Sequence, residues 1–370
     1  MAAVDDASKK RKREEEEESE EERKKAKKPV RVWLDGCYDL LHFGHSNALR
    51  QAKELGDVLV AGIHPTSEIE KHKGLPLMND EERLEVLKAN KWVDEIVTDA
   101  PYLTSVDFLK KHNIDFCAHG EDITILDDGR DSFHEVKEAG MFKLIKRTDG
   151  VSTTALLGRM LSMSKSHHSK TGGGESSNFL ASTRKIVQFA SRRAIKPGYK
   201  VVYAAGAFDL MHAGHVNFLK QARELGDFLI VGVWGDADVN ARMGGNYPIM
   251  NTNERVLNAL CLKYVDEVII APPYHITSEM LASMKVDLVV RGTSPQVLLP
   301  DEPDPFRLPK EKGIYKELQS KFELSTGQII ARIIERRLEF EKKKALSEKK
   351  AESQKKTCTV IPDEVDKNAE

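Results

Sequence analysis

No run of this 370-residue chain approaches the roughly 18 consecutive apolar residues that cross a bilayer, so integral membrane contact is not expected. The first residues are charged where a secretory leader would be apolar, and a cytoplasmic location is the resulting expectation. Cysteine is scarce. Cys37, Cys117, Cys261 and Cys358 form no C-x-x-C pair and no framework of short spacings, which argues against a disulfide scaffold and against a zinc site. Net charge is also nearly absent: 57 Lys and Arg stand against 59 Asp and Glu, a balance of −2. The chain as a whole therefore has no electrostatic pull on nucleic acid, which is not expected as a partner.

The remaining composition supports globular structure. Hydrophobic residues make up 40% of the sequence, enough to fill a core in each of two domains at a prior of roughly 150 residues per domain. Charge is lopsided only in residues 1–29, where K-K-R-K-R, a Glu run and K-K-A-K-K follow one another. Such blocks repel themselves and read as a disordered charged extension; a nuclear address in the basic clusters and a plain solvated tail both fit them.

One unit occurs twice. G-C-Y-D-L-L-H-F-G-H-S-N-A-L-R-Q-A-K-E-L-G-D runs from Gly36 to Asp57, and G-A-F-D-L-M-H-A-G-H-V-N-F-L-K-Q-A-R-E-L-G-D from Gly206 to Asp227. The echo continues with P-L-M-N-D-E-E-R (Pro76 to Arg83) against P-I-M-N-T-N-E-R (Pro248 to Arg255), and W-V-D-E-I-V (Trp92 to Val97) against Y-V-D-E-V-I (Tyr264 to Ile269). This divides the chain into domains at 30–161 and 198–342, a linker at 162–197 whose Ser, Gly and His content marks flexibility, and a charged tail at 343–370.

Within the first copy, Val30 to Leu34, Val58 to Ile63, Glu95 to Thr98 and Phe116 to Ala118 read as strands. Gly44 to Leu55 and Asn79 to Ala89 read as helices, the second opened by the capping pair Asn79 and Glu82. Phe179 to Ala190 has the apolar spacing to pack back on a domain, and Ile330, Ile333, Ile334 and Leu338 mark one face of a late helix. Alternating strands and helices with continuous apolar strands imply an α/β fold: two tandem Rossmann-like domains with parallel sheets, whose ligands lie beyond the strand C-termini.

The strongest chemical signal is H-x-G-H directly after a strand, with His42, Gly44 and His45 in the first copy and His212, Gly214 and His215 in the second. Two imidazoles three apart at a helix start share a face beside exposed N–H groups and the positive end of the helix dipole, where polyphosphate binds. Arg147, Thr148, Asp149, Gly150, Val151, Ser152, Thr153 and Thr154 again lead from a strand into a helix. Hydroxyls there can simply cap the helix, but Arg147 adds a planar cation suited to phosphate oxygens. Lys73, before Gly74 in a polar loop, offers a mobile cation that can fold over phosphates.

G-x-Y-D-L-x-H-x-G-H together with R-T-x-G-V-S-T-T resembles the cytidylyltransferase family of H-x-G-H nucleotidyltransferases, over roughly residues 30–340. The resemblance implies CTP and a small phosphorylated amino alcohol as substrates, in-line attack on the α-phosphorus of CTP, and release of pyrophosphate. His42, His45, Lys73 and Arg147 would be the catalytic groups. Cys37, Tyr38, Gly44, His119, Gly120, Glu121, Asp122, Ser152, Thr153 and Thr154 would bind CTP, and Mg2+ would accompany the nucleotide through ligands that the sequence does not assign. Tandem copies resemble the branch that uses phosphoethanolamine for phosphatidylethanolamine synthesis. Asp35 and Tyr102 are the candidates for the substrate amine, although an Asp at a strand end equally suits a structural turn. In the second copy Ala207, Phe208, His215, Arg291, Gly292, Thr293, Ser294, Ser325 and Thr326 would line a nucleotide pocket. Ala205, Gly245 and Ser320 there replace Asp35, Lys73 and Arg147, which places catalysis in the first copy. A homodimer and a monomer both stay open.

Phosphocholine as substrate is the nearest alternative, because a primary and a quaternary ammonium differ chiefly in hydrogen bonding and in their demand for aromatic faces. The single-copy enzymes for phosphocholine carry a long lipid-binding helix that this chain does not show. H-x-G-H also occurs in class I aminoacyl-tRNA synthetases, and Met163, Ser164, Lys165 and Ser166 resemble part of their second signature, but that run lies inside the linker. A scaffold without catalysis is disfavoured because the first copy retains every expected element.

Overall fold

The computed structural model describes residues 28–121, 131–161, 177, 179–191, 193–293 and 298–336. In the first copy the order is β1 (Arg31–Gly36), α1 (Phe43–Glu54), β2 (Val58–Ile63), α2 (Thr66–His72), α3 (Asp80–Ala89), β3 (Glu95–Val97), α4 (Val106–Lys111), β4 (Phe116–His119), α5 (His134–Glu138), β5 (Phe142–Leu144) and α6 (Thr153–Leu161). After α7 (Thr183–Phe189) the series repeats. It runs β6 (Val201–Gly206), α8 (Ala213–Glu224), β7 (Phe228–Val233), α9 (Asp236–Met243), α10 (Thr252–Leu260), β8 (Glu267–Ile270), α11 (Ser278–Ser283), β9 (Leu288–Gly292), α12 (Arg307–Glu311), β10 (Tyr315–Leu318) and α13 (Thr326–Glu335).

Each copy builds a five-stranded parallel sheet, ordered β3-β2-β1-β4-β5 and β10-β9-β6-β7-β8. β1 pairs with β2 from Arg31↔Val58 to Gly36↔Ile63, and β6 with β7 from Val201↔Phe228 to Gly206↔Val233. Strand order reverses at β1/β4 and at β6/β9, so the crevice outside the carboxyl ends of those strands is where a Rossmann-like sheet takes its ligand. Continuous apolar runs such as Val58–Ile63 suit a strand buried on both faces. Asn79 and Glu82 form the reciprocal capping box expected of α3, and Asn251 and Glu254 form its twin at α10.

The sequence missed the short helices α2, α4 and α5, which carry too few turns for periodicity to register. Ile334, expected on the apolar face of the last helix, is 55% exposed, whereas Ile330 and Ile333 are buried; Leu338 lies outside the described residues. The expected extension at 1–27 and tail beyond 336 also lie outside them, and no described helix is long and apolar enough to cross a membrane.

The two copies share a core between them. One apolar cluster runs from Val32 through Phe189 to Ile333 and draws on both, while each copy keeps a second cluster of its own, around Trp33 and around Tyr203. Lys91 N–H donates to the Cys261 carbonyl at 3.0 Å and Lys263 N–H to that of Ala89 at 2.9 Å, closing an antiparallel bridge between Asn90 and Leu262. Arg159 on α6 grips Glu254 at 2.9 and 3.1 Å, and Arg332 on α13 grips Glu82 at 2.7 and 2.8 Å, so each copy's last helix clamps the capping glutamate of the other. α7 joins this core: Phe189 is fully buried against Trp92, and Phe179 packs on Phe43 with ring centroids 4.6 Å apart.

Candidate active site

The loop from β1 into α1 is held in a conformation that ordinary residues avoid. Tyr38 and Leu40 have φ of 50° and 49°, and Phe208 and Leu210 repeat this at 49° and 48°. Left-handed backbone at a non-glycine residue costs roughly 1–3 kcal/mol, so surrounding bonds must impose it. Asp39 accepts from the N–H groups of Leu77 and Met78 at 2.9 Å each, and fully buried Arg83 donates to the carbonyls of Cys37 and His64 at 2.8 Å each. Asp209 and Arg255 do the same in the second copy. Burial drives the Asp209 carboxyl up to about 6 against the pull of Arg255 and the two N–H groups. Sequence reading missed these residues as site architecture, although D-L and the E-R of the repeated motif carried the signal.

This loop delivers His42 and His45 to the start of α1. His42 is the N-cap: its Nδ1 accepts from Gly44 N–H at 3.1 Å, while His45 Nδ1 accepts from His42 N–H at 3.3 Å. An imidazole nitrogen that accepts carries no proton, so both rings are fixed as the tautomer that presents Nε2–H. The rings stack with centroids 4.0 Å apart, and His42 Nε2 is buried with no hydrogen-bond partner. Burial holds the His42 imidazole well below its ordinary value, with His45 and Arg159 adding to the effect. Burial and then Lys73 bring His45 down to about 4. Both rings are neutral hydrogen-bond donors at neutral pH.

Gly44 brings the second motif against the first. A Cβ at this position would meet Val151 Cγ1 at 2.8 Å and the His42 ring at 2.8 Å, so only glycine lets the segment before α6 approach α1 this closely. Thr148 Oγ1 accepts from Asn47 Nδ2 at 2.8 Å, tying the same segment to α1. Ser152 Oγ accepts from Ala155 N–H at 3.1 Å as a cap, and Thr153 and Thr154 open α6. Arg147 is exposed in the stretch between β5 and α6.

Lys73 sits at the C-cap of α2, where the sequence had placed a polar loop, because the short helix Thr66–His72 was not recognised. Its ammonium lies 5.6 Å from the ring centre of Tyr102, whose ring also stacks on His72 at 4.0 Å. Desolvation works against that charge, but Cys37, Tyr102 and Asp35 outweigh it and hold Lys73 above its ordinary value. Asp35 and Cys37 flank Gly36 at the C-terminal end of β1. Burial pushes the Cys37 thiol up, with Lys73 and Arg83 opposing, so it is no thiolate nucleophile.

Other residues of the sequence reading fall less directly into place. Tyr38 is buried with its hydroxyl donated to the Leu34 carbonyl at 3.1 Å, so the loop presents its backbone rather than its phenol. His119 ends β4 beside β1, its ring tilted on Phe133 at 4.4 Å; Gly120 follows, Glu121 is exposed, and Asp122 lies outside the described residues.

In the second copy His212 and His215 stack at 3.8 Å, but His212 makes no cap bond and neither Nδ1 has a partner. Ala207 and Phe208 repeat the loop. Arg291 pairs with Glu317 at 3.2 Å beside Gly292 and Thr293. Ser325 is engaged in a capping box with Gln328, and Thr326 donates to the Asp209 carbonyl at 2.9 Å. Ser294 lies outside the described residues, as does the Met163 to Ser166 run.

Comparison with known proteins agrees with this geometry. The cytidylyltransferase-like family profile matches residues 33–159 and again 203–330. The ethanolamine-phosphate cytidylyltransferase of Dictyostelium discoideum is 47% identical over 345 residues, spanning 88% of this chain and 96% of the relative. That of Mus musculus is 45% identical, spanning 87% and 90%. A probable choline-phosphate cytidylyltransferase of Schizosaccharomyces pombe reaches 43%, but over 136 residues and 36% of this chain. With both copies matched and the relatives aligned over most of their length, the chain belongs to the cytidylyltransferase-like family and groups there with the ethanolamine-phosphate cytidylyltransferases.

Proposed function

We propose that the first copy transfers the cytidylyl group of CTP to phosphoethanolamine, giving CDP-ethanolamine and pyrophosphate. The observation that carries this reading is that His42 and His45 each accept a backbone N–H on Nδ1, which fixes two neutral Nε2–H donors at a helix N-terminus in a domain of this family, whereas Nδ1 of His212 and of His215 has no partner. A phosphate oxygen of phosphoethanolamine attacks the α-phosphorus. A new P–O bond forms as the bond to the β-phosphate bridging oxygen breaks, and pyrophosphate leaves with that electron pair. No protein nucleophile takes part, in keeping with the protonated Cys37 thiol. His42 and His45 donate to oxygens that gain charge in the transition state, and Lys73 and Arg147 clamp the phosphates. Ser152, Thr153 and Thr154 with the α6 N-terminus receive the triphosphate; the Cys37–Tyr38 loop and His119 to Asp122 hold the nucleoside. Catalysis is positioning plus electrostatics.

Magnesium is expected with CTP. It would neutralise charge on the phosphates, and no protein side chain is assigned to it. The substrate ammonium is assigned to Asp35, which accepts the hydrogen bonds that a primary ammonium offers and a quaternary one lacks. His72 already covers a face of Tyr102, which disfavours an aromatic cage for a quaternary ammonium. The second copy, without the carboxylate and the two cations, is assigned nucleotide binding or a shaping role without turnover. Pyrophosphate release from CTP with phosphoethanolamine, phosphocholine, glycerol 3-phosphate and methylated phosphoethanolamines tests the assignment. Phosphoethanolamine should turn over fastest; faster turnover of phosphocholine would overturn it.

A further inference from the structure

Asp35 does not stand alone at the end of β1. Thr104 Oγ1 donates to Asp35 Oδ2 at 2.7 Å, and the indole N–H of Trp33 donates to Thr104 Oγ1 at 3.1 Å. Trp33 is fully buried and Thr104 is 3% exposed. The direction of this chain is forced. An indole nitrogen only donates, so it occupies a lone pair of Thr104; the single hydroxyl proton then goes to the carboxylate. Trp33 is itself seated by Gly62, where a Cβ would lie 2.2 Å from the indole.

The second copy is an internal control. Its strand β6 carries Tyr203 where β1 carries Trp33, and Ala205 where β1 carries Asp35. Ser105 caps α4 and Thr277 caps α11, which sets Ile276 opposite Thr104. All three members of the chain are therefore replaced together. Tyr203 keeps the seat, with its hydroxyl 2.2 Å from a Cβ built on Gly232, yet that buried hydroxyl has no hydrogen-bond partner. The same sheet and the same capped helix thus form without the relay, so the fold does not require it. What disappears with the relay is the carboxylate.

We propose that Thr104 is a positioning residue for phosphoethanolamine recognition, fixing Asp35 through one oxygen, with Trp33 dictating the direction of the bond, so that the other oxygen meets the substrate ammonium. The proposal rests on the assignment of Asp35 to the amine. A carboxylate free to rotate offers its oxygens in many orientations, and a compact ammonium is recognised only by the one that meets it within hydrogen-bond distance.

The test measures KM for phosphoethanolamine, KM for CTP and kcat separately in Thr104→Val, Thr104→Ser and Asp35→Asn. Thr104→Val removes the hydroxyl at nearly constant volume, and the KM for phosphoethanolamine should rise about tenfold with that for CTP unchanged, as expected for loss of a hydrogen bond to a charged group. Thr104→Ser keeps the donor and should restore the KM to within about twofold. If Asp35→Asn leaves the phosphoethanolamine KM unchanged, the amine assignment itself fails. If Asp35→Asn raises that KM and Thr104→Val does not, only the role of Thr104 fails. Equal rises of both KM values in Thr104→Val, or no rescue by Ser, would reduce Thr104 to a structural part and overturn the proposal. Should Thr104→Val not fold, Trp33→Tyr, the residue that seats under glycine in the second copy, carries the same measurement. A selective rise in the phosphoethanolamine KM supports the relay and an unchanged ratio of the two KM values overturns it.

Discussion

Arg159 of the first copy and Glu254 of the second form a bidentate ion pair, 2.9 and 3.1 Å long, with side chains only 6% and 0% exposed. Two desolvated charges are tolerated there because each satisfies the other, and Arg159 also donates to the Ile249 carbonyl at 3.2 Å. The equivalent pair of Arg332 and Glu82 is more open, with Arg332 36% exposed.

Removing one partner of a buried pair strands the other charge, and Arg159→Met should cost about 3–5 kcal/mol in denaturant unfolding. Arg159→Met with Glu254→Gln should recover more than half of that loss, because Gln is neutral and can still complete the capping box with Asn251. Arg332→Met should cost less than Arg159→Met. A double variant as unstable as the single one would show that the charge is not the cause.

The two copies should be unequal in turnover. His42 and His45 have their tautomers set by backbone N–H groups, whereas neither Nδ1 of His212 and His215 has a partner. Loss of one well-placed transition-state donor lowers kcat by about 10²–10³-fold, the fall expected of His45→Ala, while His215→Ala should stay within about twofold and act on stability or apparent CTP affinity. Equal, additive halving of activity by the two variants would mean that both copies work.

Arg147→Lys retains the charge but loses the planar pair of donors that matches phosphate oxygens. Turnover should fall at least about tenfold while the melting temperature changes little, since Arg147 is exposed. Near-normal rates would remove Arg147 from the reaction.

Acid should destabilise the fold well above the carboxylate range. Burial brings His45 and His215 down to about 4 in the folded chain and holds His42 and His212 well below their ordinary value. Between about 6.5, the ordinary histidine value, and 4 the unfolded chain therefore binds protons that the folded chain refuses, so stability falls as pH drops through this window. Asp209, raised to about 6, acts in the opposite sense, because the folded chain takes up its proton first. Four imidazoles outweigh one carboxyl, and thermal melts from pH 7.5 to 4.5 should show a steadily decreasing midpoint. A flat or rising midpoint would contradict the buried, neutral state of these rings.

Much of this protein follows from local pattern. The duplicated motif implies two similar units, continuous apolar strands alternating with helices imply parallel sheets, and Asn79 with Glu82 marks a helix start three residues apart. The H-x-G-H spacing likewise sets two imidazoles on one side of a helix start, because residues three apart on a helix lie on the same face whatever the rest of the chain does. The tertiary structure decided what those residues can do. Asp35 receives its proton donor from a residue 69 positions away, and Glu82 meets Arg332 across 250. Arg83, which stands in the sequence only as the last residue of a repeated run, is fully buried and holds the strained loop in place. Periodicity reports which way a side chain points from its own element. It carries no information on which distant backbone or side chain will stand opposite, and that pairing sets the orientation of Asp35, the shape of the loop that carries His42 and His45, and the joining of two copies around a shared core.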